Sequence, residues 1–123
     1  MSSPPKSATP DTVPTTATDP RQIESWALTE TAARMSAAQQ APENEEALLN
    51  TVRLNWRLWT IFQASLLEPD CPLPLEIRNN ILSLSNFVDR HTANIIAEPS
   101  PGKLDVLIRI NREIAAGLIG DCG

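Results

Sequence analysis

Asn55-Trp56-Arg57-Leu58-Trp59-Thr60-Ile61-Phe62 places two tryptophans, an arginine and an asparagine inside an apolar stretch with helical spacing. Read outward, Leu48, Val52, Asn55, Trp59, Phe62 and Leu66 step by four and three, a heptad-like seam. Leu54, Leu58 and Ile61 line another side, so this helix is apolar over most of its circumference and is expected to be central. Glu43, Glu45 and Glu46 put negative charge at its start, where the helix dipole favours it. Glu68-Pro69-Asp70-Cys71-Pro72 cannot continue it, because proline lacks the amide hydrogen and restricts the residue before it.

Two further helices follow the same logic. One restarts at Leu73-Pro74 with a seam of Ile77, Ile81, Leu84, Val88 and Ile95, broadened by Leu82, Phe87 and Ile96. Glu98-Pro99-Ser100-Pro101-Gly102 breaks it. The next takes Ser100 as cap and Pro101 as first residue, and keeps Leu104, Leu107, Ile108, Asn111, Ile114, Ala115 and Leu118 on one face. Ahead of the central helix, Asp19-Pro20 supplies a cap and a first helical residue. Ile23, Trp26, Ala27, Glu30, Ala33, Arg34 and Ala37 then form a narrow, alanine-rich stripe, which predicts the weakest helix of the set, ending near Gln40. Residues 1–19 hold four prolines, five threonines and three serines; such a segment buries too little to offset its ordering entropy and reads as a disordered arm. The expectation is therefore all-α: one up-down bundle of four helices over residues 20–120.

Bulk properties narrow the function. The formal charge is −5, and residues 1–52 carry seven acids against three bases. Phosphate neutralisation needs a basic excess, so no direct nucleic-acid partner is expected. No run approaches the roughly 20 apolar residues of a membrane span, and the start Met1-Ser2-Ser3-Pro4-Pro5-Lys6 has no apolar signal stretch. A cytoplasmic protein is expected, with Cys71 and Cys122 as free thiols. No nucleophile–base set, metal cluster or phosphate loop stands out, so neither enzymatic activity nor a cofactor is expected. His91, the one histidine, falls on a seam position and is read as a hydrogen-bonded core residue.

Four segments carry a resemblance. Asn55-x-x-Leu58-Trp59-Thr60-Ile61-Phe62, Leu73-Pro74-x-Glu76-Ile77-Arg78-Asn79-Asn80-Ile81, Phe87-Val88-x-x-His91-Thr92 and Leu107-Ile108-x-Ile110-Asn111-Arg112-x-Ile114-Ala115-x-Gly117-Leu118 occur in the order found in the flagellar biosynthesis regulator family FlaF. The similarity runs from about Pro20 to Leu118 and includes Arg21 and the Ala32-Ala33 pair. The resemblance implies a small helical protein of flagellum assembly, tied to flagellin production and its delivery for secretion. It implies flagellin as a partner, engaged through its terminal helices, with FlbT as a second; the alternative is post-transcriptional control of flagellin through FlbT or the flagellin messenger.

Five residues form the candidate partner-binding set: Asn55, Trp56, Arg78, Asn111 and Arg112. The two asparagines sit where Leu would pack better, so they either pair with one another to fix register, the expected account, or bond a bound segment. Arg78 and Arg112 can each fork onto a carboxylate of the bundle or of a partner. Trp59 fits the seam, whereas Trp56 lies about 60° away on the wheel and is expected to reach the surface as an anchor.

Overall fold

The computed structural model describes residues 19–119, so all of the arm expected over residues 1–19 except Asp19 lies outside the described residues, as do Gly120 and Cys122. Four helices follow in order: α1 (Pro20–Gln39), α2 (Glu45–Leu66), α3 (Leu75–Ala97) and α4 (Leu104–Ile119), the last entered through a 3-10 turn at Pro101–Lys103. Asp19 caps α1, its carboxylate accepting from the Arg21 amide at 3.0 Å with Pro20 in the first turn. Asn44 caps α2 by accepting from the Ala47 amide at 3.1 Å, with Glu45 and Glu46 in the first turn. Ser100 opens the 3-10 turn without a side-chain cap. Pro74 precedes α3 in extended backbone, so the helix starts two residues later than Leu73.

Side-chain contacts fix the directions. Arg21 meets Ser65 and Ser25 meets Ala115, so α2 and α4 both run antiparallel to α1. Trp56 meets Asp89, which sets α3 antiparallel to α2. The chain is thus an up-down bundle. Its four sides are unequal: α1 packs most closely on α4, then α2 on α3 and α1 on α2, while α3 and α4 form no comparable seam.

Leu48, Val52, Asn55, Trp59, Phe62 and Leu66 are all buried, as the heptad spacing requires. Trp59 and Phe62 meet edge to face, centroids 5.4 Å apart. The second α2 stripe differs from expectation: Ile61 is 63% exposed and Leu54 36%, so α2 is not covered on all sides. The α1 stripe is corrected more fully. Its buried residues are Arg21, Ser25, Leu28, Thr31, Ala32, Met35 and Ala38, while Ile23, Ala33, Arg34 and Ala37 are exposed. The reason is that polar groups in this stripe find partners. Ser25 donates to the Ala115 carbonyl at 2.8 Å and Thr31 to the Ala27 carbonyl at 2.7 Å. Small side chains such as Ser25, Ala32 and Ala115 let α1 and α4 approach, and this is the closest helix pair of the bundle.

Candidate partner-binding surfaces

The centre of the bundle holds a polar knot. The Asn111 carboxamide donates to Asn55 Oδ1 at 2.8 Å and to the Leu28 carbonyl at 3.3 Å, and its oxygen accepts from Trp59 Nε1 at 2.9 Å. Three helices meet at one side chain. Asn55 and Asn111 are fully buried and bonded to one another, and neither offers a polar atom to a surface. Asn55 Nδ2 has no partner among the described residues.

Trp56 does not stand free. It is half-buried and its indole N–H donates to Asp89 at 2.9 Å, tying α2 to α3. Arg78 is half-buried in the first turns of α3, on the side that carries Asp89 about three helical turns further along, and its Nε has no partner among the described residues. Arg112 is exposed on the opposite side of the molecule, on the flank of α4 nearer α1. The structure therefore does not bring the five residues to one surface: two are core, one clasps α2 to α3, and the two arginines point apart.

An arginine outside that set has the denser network. Arg21 is buried; its guanidinium meets Glu24 at 3.0 Å through both Nε and Nη2, donates to Ser65 Oγ at 2.7 Å and reaches Cys71 Sγ at 3.9 Å. Burial raises the Glu24 carboxyl above its ordinary value, and the Arg21 charge and a Ser65 hydrogen bond pull the other way. This network fastens the start of α1 to the α2–α3 turn. Its sequence signals are the Arg21/Glu24 spacing of three at a helix start and the place of Arg21 in the family resemblance.

The α3/α4 side presents an apolar lining of partly buried residues. His91 Nε2 lies 2.7 Å from the Lys103 carbonyl and its ring stacks on Phe87, centroids 5.2 Å apart; the histidine is held by backbone and an aromatic face, as a structural residue. Counting antiparallel from that contact sets Phe87 opposite Val106, Leu84 opposite Ile110, and Ile77 opposite Gly117 and Leu118. Leu84, Phe87, Val106, Ile114 and Leu118 are only half-buried and Ile77 is exposed. No helix of the described residues is long and apolar enough to cross a membrane, and no group of three or more His, Cys, Asp or Glu is gathered among them.

The sequence profile described as flagellar protein FlaF matches residues 11–118. This chain belongs to the FlaF family. The match starts nine residues ahead of Pro20, so the FlaF region takes in the last part of the segment read as an arm. Comparison with curated proteins and with solved structures gave no match. Family membership assigns a flagellar role to the chain.

Proposed function

We propose that this FlaF protein is a non-enzymatic flagellum assembly factor that binds flagellin in the cytoplasm and holds it for secretion. The observation that carries this reading is the α3/α4 side, where an apolar lining runs along two helices that do not close on one another. An amphipathic helix can lay its stripe into such a groove. Flagellin's terminal helices carry heptad stripes that would associate prematurely if left uncovered. A small bundle that covers one stripe delays that association without any chemistry. Ile77 and Leu118 stand at one mouth of the groove, and Phe87 and Val106 lie further along it.

The test is co-purification of the intact chain with full-length flagellin, with FlbT as the alternative prey. The reading expects a flagellin complex that is lost when flagellin's terminal segments are removed, and weakened by Ile77→Asp, a change at an exposed site. A complex with FlbT alone would replace the chaperone reading by regulation of flagellin synthesis through FlbT.

A further inference from the structure

A different face of the molecule carries its own signal. On α2, about 100° per residue places Leu54, Leu58 and Ile61 along one flank, turned away from α3 and bordering α1. Leu54 is 36% and Ile61 63% exposed, and Ile23, near the start of α1, is 39% exposed. Leu58 packs partly against the core, while Leu54 and Ile61 carry the stripe out to solvent. Arg53 and Arg57, spaced four apart, form the ridge beside it; both are exposed and neither pairs with a carboxylate among the described residues. They are also the only charges between Glu46 and Glu68 in a chain of net charge −5. Glu30 of α1 is paired with Arg34 of its own helix at 3.4 Å.

We propose that this α1/α2 flank is a second protein-docking surface, which takes an amphipathic helix of a partner whose apolar stripe is flanked by carboxylates. The apolar stripe supplies burial, and the Arg53–Arg57 ridge supplies orientation and discrimination against basic helices. The surface lies across the bundle from the α3/α4 groove, so both can be occupied at once, and it stands or falls independently of flagellin binding.

The experiment titrates two synthetic amphipathic helices into the full-length chain, one with glutamates and one with lysines flanking a leucine stripe, and follows the methyl resonances of Leu54, Leu58 and Ile61. The glutamate peptide is expected to move those resonances and to bind the more tightly. The double variant Arg53→Glu, Arg57→Glu should weaken it about tenfold and favour the lysine peptide instead, as the loss of two exposed ion pairs predicts. Ile61→Ser should abolish binding while leaving the thermal midpoint in place, since the site is exposed. Equal binding of both peptides, no binding, or shifts at Leu84 and Phe87 instead would overturn the proposal. So would self-association abolished by Ile61→Asp, which makes the flank a contact between copies. Binding seen only after residues 1–18 are removed would also overturn it, because the flank would then belong to the chain's own N-terminal segment.

Discussion

Asn55 on α2 and Asn111 on α4 are joined by a 2.8 Å hydrogen bond between helices that are diagonal partners in the bundle. The bond is asymmetric in what each side chain supplies. Asn111 uses its oxygen and both donor directions on Trp59, Asn55 and Leu28, whereas Asn55 contributes one acceptor.

Asn111→Ala should therefore cost more than Asn55→Ala. The first leaves the Trp59 indole N–H and Asn55 Oδ1 unpaired in the core, at about 1–3 kcal/mol for each group not rescued by water, whereas the Leu28 carbonyl keeps its bond within α1. The second leaves Asn111 bound to Leu28 and Trp59. Urea melts of the two variants should differ by at least about 1 kcal/mol; equal losses would show that the knot is not organised around Asn111.

Trp59→Ala is expected to lose about 3–5 kcal/mol, the cost of emptying a fully buried aromatic site. Trp56→Phe keeps most of the half-buried surface and removes the bond to Asp89, so about 1 kcal/mol should go. A double-mutant cycle with Asp89→Ala checks the second value: the coupling disappears if the 2.9 Å contact contributes nothing in solution.

Asp19→Ala should cost about 1 kcal/mol by removing the α1 cap. Deleting residues 1–18 while retaining Asp19 should leave the thermal midpoint within a few degrees, because their composition brings little apolar surface. A loss of about 1 kcal/mol would appear as roughly 4–8 °C in a domain of this size. A fall of that order on deletion would mean that the segment packs on the bundle.

Glu24 gives a pH dependence whose sign can be stated. Its folded carboxyl titrates above the ordinary value of 4.5, so between those two points the folded state holds the proton more often than the unfolded chain. The contribution to stability is present below the ordinary value and is lost as pH rises through the raised one. Denaturant melts from pH 4 to 7 should show Glu24→Gln losing this fall relative to the parent chain. A parent and variant with parallel profiles would remove Glu24 from the account.

Binding to flagellin, if it rests on the α3/α4 groove, is apolar. It should show a negative heat-capacity change, and the affinity should move less than about tenfold between about 50 and 300 mM salt. Calorimetry across temperature and salt checks both. A steep salt dependence would count against helix covering.

The buried faces of α2 and α4 were legible because six residues of α2 repeat at four and three, and Leu104, Leu107, Ile108, Asn111 and Ala115 keep one side of α4. Proline and a short polar residue mark most helix starts for reasons of backbone geometry. The α1 face was misread because its buried residues include Arg21, Ser25 and Thr31, whose burial depends on partners as far away in sequence as Ser65 and Ala115. No local pattern contains that information. Trp56 was assigned to the surface from its wheel position, yet Asp89 lies within reach only once α3 is docked. The unequal spacing of the four sides was illegible too, because it follows from the size of facing side chains on helices far apart in the chain.

The tightest contact joins the first helix to the last. During synthesis α1, α2 and α3 leave the ribosome before α4, which carries the Asn111 that closes the central knot. A chain cut short before that point can form helices but has nothing to set against Ser25, Leu28 and Ala32. Completion of the bundle thus waits on synthesis of α4, and any fragment ending within α3 leaves the α4-facing side of α1 open to other chains.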